Sequence, residues 1–396
     1  MINLDNNATT RPTDLVVQAV HAGLVERWHN PSSVHRGGQE ARRGVELARQ
    51  DIADLIGAKA RDITFTSGGT ESINLAVRGV LAARGAPGRT PRLITSRVEH
   101  AAVRDLADDL TRTRQALVSW CRVTGEGLID LDAFAHEVKD ADAAIIQWAN
   151  NETGGIQPID QIARLCREAG TTFICDATQW VGKMPTRVCD EPGVLPPSVD
   201  PAHACDADIM IFSPHKFHGP KGVGVLWTRR GTRLRTIIHG SQELGRRGGT
   251  ENVPGILGAG AAARESLEWL GDPLNREKSR SLRDRLETSI CAGLACASVN
   301  GPKNPAHRLW NTTNIGFPPL EAEVLVLYLS ERGVAVSAGA ACSSGSLEPS
   351  PVLLAMNVPE PVAHGSLRMS LSRFTTAAEV DAAAAKVIEA VKSLGG

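Results

Sequence analysis

The order of apolar and polar residues in the first two thirds of the chain predicts short strands that alternate with longer helices. Apolar runs of strand length occur at residues 62–66, 92–96, 143–148, 172–175, 207–212 and 223–227. Segments with helical periodicity occur at residues 14–28, 39–55, 71–84, 101–111 and 159–169. Strands that alternate with helices favour an α/β fold in which helices cover both faces of a mostly parallel sheet.

The pattern changes near residue 258. Helical runs rich in Ala, Glu and Arg lead to strands predicted at 312–317, 334–336 and 366–371 and to helices at 321–332 and 376–393. We interpret residues 15–257 as a large domain and residues 258–396 as a smaller α+β domain. Residues 1–14 are expected to form an arm that packs with the small domain. Residues 189–204 carry four prolines and are predicted to be an exposed loop or insertion.

Composition excludes several classes of protein. The chain has 396 residues, enough for two or three domains, and its net charge is −1 with both signs interspersed. This balance predicts neither nucleic-acid binding nor attachment to a membrane surface. The first residues lack the pattern of a signal peptide, and no apolar run is long enough to cross a bilayer, so we expect a cytoplasmic protein.

The eight cysteines have neither Cys-x-x-Cys nor zinc-finger spacing. We therefore predict no metal site and expect most of the thiols to be reduced. Cys166 lies in a helical pattern and Cys175 in a strand run, so both are expected to be buried.

Lys216 stands in Ser213-Pro214-His215-Lys216, directly after the apolar run 207–212. Ligands of open α/β sheets bind where strands end. A lysine that is partly desolvated or close to another cation can attack an aldehyde, which is the chemistry of a Schiff base to pyridoxal phosphate (PLP). Taken alone, the same pattern also fits an ordinary surface lysine.

A glycine-rich turn follows the strand predicted at 62–66. It reads Ser67-Gly68-Gly69-Thr70-Glu71-Ser72 and opens a helix. Glycines allow the backbone to approach an anion closely, and the helix N-terminus offers free N–H groups, so the turn suits a phosphate. Ordinary helix capping is the alternative interpretation.

Polar residues also follow three other predicted strands. They are His100, the pair Asn150-Asn151, and Asp176 with Gln179. A carboxylate at such a position can keep a pyridinium nitrogen protonated, whereas the alternative is an N-cap for the next helix. Capping explains the joint pattern of these strand ends poorly.

With these motifs the chain resembles PLP-dependent cysteine desulfurases of the fold-type I, class V aminotransferase superfamily. The resemblance runs nearly from end to end. The segments that carry it are Leu4–Thr10, Asn30–Ser33, Thr66–Ser72, Glu99-His100, Asn150–Glu152, Asp176–Gln179, Ser213–Lys216, Arg247–Asn252, Ala341–Gly345 and Arg368.

The resemblance implies roles in binding PLP. Lys216 would form the Schiff base, His100 would stack on the pyridine ring and help to move protons, and Asp176 would pair with the ring nitrogen. The phosphate would be held by Gly69, Thr70, Ser213 and His215, and by Thr250 of a neighbouring subunit. The last of these implies a homodimer with shared active sites.

The resemblance also implies how the substrate, L-cysteine, is bound. Arg368 would bind its carboxylate, a bidentate task that suits a guanidinium group. Gln179 and Asn151 would contact the phenolic oxygen of the cofactor or the substrate. Asn30 and the segment Ala8–Thr10 are expected to border the substrate pocket.

Cys342 lies in Ser337–Ser346, a run almost free of bulky side chains, which is expected to be mobile. A buried thiol in a small-residue turn is the alternative. By resemblance, Cys342 attacks the sulfur of the bound substrate, becomes a persulfide and leaves L-alanine. The sulfur would pass to an acceptor, by default a protein of iron–sulfur cluster assembly.

Other functions stay open at this point. They are sulfur supply for transfer RNA thiolation or DNA phosphorothioation, selenocysteine lyase or aminotransferase activity, and an inactive scaffold. Cys342 argues against an aminotransferase, and the retained Lys216, His100 and Asp176 argue against a scaffold. The chain departs from the family pattern at Trp180, which is bulkier than expected and is predicted at the outer wall of the pocket. It also departs at Ser241 and Leu244, where a glycine and an arginine are usual.

Overall fold

The structure is a computed structural model that describes residues 1–86, 88–194, 200–339 and 348–395. Its strands are β1 (Ile2–Asn3), β2 (Ile63–Thr66), β3 (Arg92–Ser96), β4 (Leu117–Cys121), β5 (Ala143–Gln147), β6 (Thr172–Asp176), β7 (Arg187–Val188), β8 (Ala204–Cys205), β9 (Ile209–Phe212), β10 (Gly224–Thr228), β11 (Ser298–Val299), β12 (Thr312–Gly316), β13 (Val334–Ala335), β14 (Ser337–Ala338) and β15 (Ser366–Ser370). Its helices are α1 (Asp14–Val25), α2 (Arg36–Ile56), α3 (Gly69–Arg84), α4 (Ala101–Arg112), α5 (Leu131–Glu137), α6 (Ile159–Ala169), α7 (Val253–Leu270), α8 (Pro273–Gly293), α9 (Ala322–Glu331), α10 (Pro351–Ala355), α11 (Glu360–His364) and α12 (Ala377–Leu394).

The larger sheet confirms the predicted α/β architecture. Within the described residues it has the strand order β2-β10-β9-β6-β5-β3-β4, and all neighbours are parallel except those of β10. The side chains of β5 alternate between the two faces. Ala143 and Ile145 pack with α3 and α4, whereas Ala144 and Ile146 pack with α2, α6 and α7. Because helices cover both faces, each central strand is apolar throughout, which is the pattern that the sequence displays.

The smaller sheet is antiparallel, with the order β11-β12-β15-β14 in the described residues. Its core includes apolar residues of α8, α9 and α12. Leu4 is fully buried in the same core, and β1 pairs with β13. These contacts support the proposal that the N-terminal arm belongs with the smaller unit.

Helix α7 crosses the boundary that the sequence suggested between residues 257 and 258. Its residues as far as Leu270 lie in the core of the larger unit. Its small residues allow a close approach to α2, since a Cβ atom at Gly260 would lie 2.8 Å from the Cα atom of Ala48. We therefore propose that the boundary lies between α7 and α8.

Strand β4 and helix α5 were not predicted from the sequence. β4 is an edge strand whose residues are mostly only half-buried, and Leu117 is exposed, so it lacks a continuous apolar run. The described ends of the predicted insertion at 189–204 are joined by the pairing of β7 with β8, and Cys189 is buried there. Cys166 and Cys175 are buried, as predicted. None of the helices in the described ranges has the length and apolar character needed to span a membrane.

Candidate active site

A cavity of about 320 Å³ opens at the edge of the larger sheet where the parallel strands end. Its volume lies in the range of small-molecule sites. Among the residues predicted from the sequence, those that line the cavity are Gly69, Thr70, His100, Asn151, Asp176, Gln179, Ser213, His215, Lys216 and Arg368. All but Arg368 come together because β2, β3, β5, β6 and β9 point in the same direction, so that the segments after them share one edge. Arg368 reaches the cavity from β15 of the smaller sheet.

Within the described residues, the predicted Asn30 and Thr250 are not among those that line the cavity. Asn30 is exposed in a turn, where its Oδ1 accepts a hydrogen bond from the N–H of Ser32. Thr250 is also exposed, and its contact with a second subunit stays a prediction. Cys342 lies outside the described residues.

Lys216 reaches the cavity from the short turn Pro214–Lys216, which follows β9. Its Nζ donates hydrogen bonds to the carbonyl oxygens of Asn7 and Ala8, each at 2.8 Å. The N-terminal arm therefore reaches the lysine directly. Ala8 lines the cavity, in line with the expectation for this part of the arm.

Asp176 ends β6 and is 5% exposed. Its Oδ1 accepts a hydrogen bond of 3.0 Å from the N–H of Thr178. Since both Asp176 and Lys216 line the cavity, a carboxylate and an amine face one ligand-sized space.

His100 is the N-cap of α4, and its Nδ1 accepts a hydrogen bond of 3.1 Å from the N–H of Ala102. A ring whose Nδ1 accepts must carry its hydrogen on Nε2. Burial lowers the pKa of His100, an effect that the carboxylate of Asp176 opposes and the amine of Lys216 reinforces. The imidazole is therefore neutral at neutral pH, with its orientation fixed by the helix.

The turn before α3 provides an anion site. Gly68 is the N-cap, and no side chain caps the helix there. The first N–H groups of a helix have no partner within it. The exposed Thr70 and the buried Ser213 lie beside this turn at the cavity wall. Burial, with the nearby charge of Lys216, lowers the pKa of His215 to about 4, so this ring is neutral as well.

Arg368 projects from β15 and is 3% exposed. Its Nη2 donates to Asp5 Oδ1 at 2.7 Å, and its Nη1 lies 3.5 Å from the carbonyl oxygen of Asn151. Within the described part of the chain its Nε has no hydrogen-bond partner. A buried guanidinium that lines the cavity suits a carboxylate ligand.

The residues present fit PLP. A phosphate suits the uncapped N-terminus of α3 with Thr70 and Ser213, a pyridine nitrogen suits the carboxylate of Asp176, and an aldehyde suits the amine of Lys216. Cationic side chains outnumber carboxylates among the residues that line the cavity, which favours an anionic ligand.

The structure corrects the expectation for Trp180. Its ring is 2% exposed and stacks on Trp148 at 4.3 Å between ring centroids, in the core of the larger unit. It does not line the cavity because the turn after Gln179 directs successive side chains to opposite sides.

Three ionisable residues beside the cavity had no predicted role. Burial, reinforced by Asp176, raises the pKa of Glu99 to about 8. Burial raises the pKa of Glu152 to about 7. Lys183 is buried and donates a hydrogen bond to Gln179. Its only sequence signal was a lysine within the run Trp180–Met184, whose other residues are apolar or Gly.

Glu152 also connects the cavity wall with the segment that carries Cys342. Its Oε2 accepts a hydrogen bond of 2.5 Å from Ser350 Oγ. A Cβ atom at Gly339 would lie 3.1 Å from the same oxygen. The chain before and after residues 340–347 is therefore anchored beside Asn151.

The fold is that of a fold-type I PLP enzyme, and comparison with known proteins specifies the family. The family model described as aminotransferase class-V matches residues 2–383. The chain belongs to this family.

Relatives within the family are cysteine desulfurases. The chain is 44% identical over 383 residues to a cysteine desulfurase of Cereibacter sphaeroides, which covers 96% of this chain and 93% of the relative. Among solved structures, a NifS-like protein superimposes with a TM-score of 0.86 at 33% identity and covers 99% of both chains. A structure of SspA in complex with cysteine matches with a TM-score of 0.77 at 29% identity, over 95% of this chain and all of the other.

Proposed function

We propose that the protein is a PLP-dependent cysteine desulfurase that converts L-cysteine to L-alanine and transfers the sulfur to Cys342. The observation that carries this proposal is the meeting of Lys216, Asp176, His100 and Arg368 around one cavity. Each of the four groups has one proposed task. The amine would attach the cofactor, the carboxylate would keep its ring nitrogen protonated, the imidazole would lie against its ring, and the guanidinium would bind the substrate carboxylate. Relatives with the same activity in their names support the assignment.

Bound PLP supplies an electron sink that weakens bonds of the substrate near its amino group. Thr70, Ser213, His215 and the N–H groups of α3 would hold its phosphate. The carboxylate of Asp176 would keep the ring nitrogen protonated, and Lys216 would provide the amine for covalent attachment.

The remaining residues of the cavity orient the substrate. Arg368 would bind the carboxylate of L-cysteine, while Asp5 holds its Nη2. His100 would lie against the cofactor ring, and its Nε2 would carry the hydrogen because Nδ1 accepts from Ala102. Lys216 Nζ is the amine that carries a proton to and from the substrate carbon.

Cys342 is the proposed sulfur acceptor. The anchoring of Gly339 and Ser350 at Glu152 supports this role, because both ends of the segment lie beside the cavity wall. In the overall reaction the C–S bond of L-cysteine breaks and an S–S bond forms to Cys342. A proton replaces the sulfur on the carbon. The products are L-alanine and a persulfide, so the balance needs no external oxidant.

The persulfide sulfur then passes to an acceptor protein, for which an iron–sulfur scaffold in the cytoplasm is the proposed partner. The enzyme is proposed to act as a homodimer in which Thr250 completes the phosphate site of the neighbouring subunit. Mixing Thr250→Ala and Lys216→Ala subunits tests this arrangement. A shared site predicts that the mixed dimer is more active than either parent. Separate sites predict no such gain.

The proposed reaction is tested with the purified, PLP-loaded protein. L-Cysteine and a thiol reductant should give sulfide and L-alanine in equal amounts. Cys342→Ala should keep the visible absorbance of bound PLP and lose sulfide release. No sulfide from the loaded wild type would refute the proposal, and unchanged release by Cys342→Ala would remove the role of the thiol.

A further inference from the structure

Lys183 is a buried lysine that contacts Gln179, one of the residues that line the cavity. Its Nζ donates hydrogen bonds to Gln179 Oε1 at 2.6 Å and to Asn7 Oδ1 at 2.9 Å. Burial, with the charges of Lys216 and Arg368 nearby, lowers the pKa of Lys183 well below its usual range. An amine in such a place costs free energy unless it is hydrogen-bonded, so these two bonds account for its presence.

The bond to Lys183 determines which way the carboxamide of Gln179 faces. In this bond Nζ is the donor, so Gln179 presents its oxygen to Lys183. The other end, Nε2, then donates to the carbonyl oxygen of Asn7 at 3.0 Å. Lys216 Nζ donates to the same carbonyl oxygen. The N–H groups of Gln179 are therefore held on the side of Lys216, facing the cavity.

The opposite orientation would be penalised at both ends. Nε2 would face the amine of Lys183, and the bond from Nζ to Oε1 would be lost; Oε1 would face the carbonyl of Asn7, acceptor against acceptor. Without Lys183 the first of these penalties disappears.

The backbone brings Lys183 to this position through Gly182. Gly182 has a φ angle of 78°, and a Cβ atom there would lie 2.5 Å from the Cβ atom of Phe217. The turn can therefore pack tightly against the residue that follows Lys216. The indole nitrogen of Trp310 donates to the carbonyl oxygen of Lys183 and fixes the end of the turn.

We propose that Lys183 is a positioning residue that orients the Gln179 carboxamide so that its N–H groups face the bound cofactor and Lys216. The inference rests on the proposed function, since it concerns the PLP site. Lys183 acts through Gln179, so replacing Lys183 should have no further effect once Gln179 has been replaced.

The chain offers a matched control in Asn311. Its Nδ2 donates to Asn7 Oδ1 at 3.0 Å, the same oxygen that Lys183 contacts, and no contact with Gln179 is found in the described residues. Asn311→Ala therefore loosens Asn7 without releasing the Gln179 carboxamide.

The experiment uses the PLP-loaded protein without substrate and follows the visible absorbance of the cofactor as a function of pH. We expect Lys183→Met to move the midpoint by about half a pH unit or more, in the same direction as Gln179→Ala. The double variant should match Gln179→Ala alone, and Asn311→Ala should match the wild type. In cysteine turnover, Lys183→Met should lower kcat/KM about tenfold.

The outcomes separate the inference from the proposed function. Two results would overturn the role of Lys183 even when the wild type releases sulfide. One is a midpoint in Lys183→Met equal to that of the wild type, and the other is a double variant whose shift is the sum of the two single shifts. Absence of sulfide from the wild type would instead count against the proposed reaction. If Lys183→Met does not fold, Lys183→Leu takes its place, because its smaller side chain also has no donor for Gln179. The same shift is then expected, and a wild-type midpoint again overturns the role.

Discussion

Replacing Glu99 by glutamine should change how the stability of the protein depends on pH. Glu99 is fully buried, its Oε2 accepts a hydrogen bond from the N–H of Gln147, and Ser96 Oγ donates to its Oε1. Burial, with the carboxylate of Asp176 as a second cause, raises its pKa from 4.5 to about 8. Glutamine has the shape of the protonated acid, and it retains an oxygen for the N–H of Gln147.

The sign follows from proton linkage. Between pH 4.5 and 8 the folded protein keeps a proton on Glu99 that the unfolded chain has released, so the free energy of unfolding falls as the pH rises. The slope is about 1.4 kcal/mol per pH unit, which gives about 3 kcal/mol between pH 5.5 and 8. Glu99→Gln removes this loss. The free energy of unfolding of the variant, relative to that of the wild type, should therefore rise by about 3 kcal/mol from pH 5.5 to pH 8.

The measurement is urea unfolding of the cofactor-free protein at pH 5.5 and pH 8, followed by tryptophan fluorescence. Comparing variant with wild type at each pH cancels the titration of all other groups. Glu40→Gln is the control, because Glu40 is exposed and pairs only with the exposed Arg36 among the described residues. Its difference from the wild type should stay within about 0.5 kcal/mol. The reasoning would be refuted if the free energies of unfolding of Glu99→Gln and of the wild type differed by the same amount at pH 5.5 and at pH 8.

Three further substitutions test other parts of the structure. Glu243→Ala leaves the guanidinium of Arg49, which now makes bonds of 2.7 and 2.8 Å to Glu243, buried without that partner, and urea unfolding should show a loss of about 3 kcal/mol or more; a loss below about 1 kcal/mol would contradict a structural role for this pair. Arg368→Lys removes the planar fork, so KM for L-cysteine should rise about tenfold or more while the PLP absorbance stays; an unchanged KM would exclude Arg368 as the carboxylate ligand. Gly224→Ala would place a Cβ atom 2.4 Å from the carbonyl group of Gly68, so equilibrium dialysis should give about a tenfold weaker PLP affinity; an unchanged affinity would show that the turn before α3 does not hold the phosphate.

Much of the site could be predicted because its residues stand at the ends of apolar runs. His100, Asp176 and Lys216 each follow a buried strand, and parallel strands bring their ends to one edge. The resemblance to a family then supplied their roles. Asn30 could not be placed in this way, because it lies in a turn outside that pattern and does not line the cavity in the single chain.

The boundary between the larger and the smaller unit also could not be predicted from the sequence. Helix α7 is rich in alanine and glycine, which signals helix but not the unit with which it packs. Only its contact with α1 and α2 assigns it to the larger core. Strand β4 was missed because an edge strand need not be apolar throughout.

The sequence alone determined the α/β alternation, because buried parallel strands need continuous apolar runs, and it determined which polar residues follow those strands. Tertiary structure decided which ionisable groups have shifted pKa values. The apolar run around Lys183 was only a weak signal, and nothing near Glu99 in the sequence indicates the loss of water that shifts its pKa, since burial is produced by segments far apart in the chain. The hydrogen bonds of Asn7 to Lys183, Gln179 and Thr312 likewise exist only once the arm, the larger unit and the smaller unit have met.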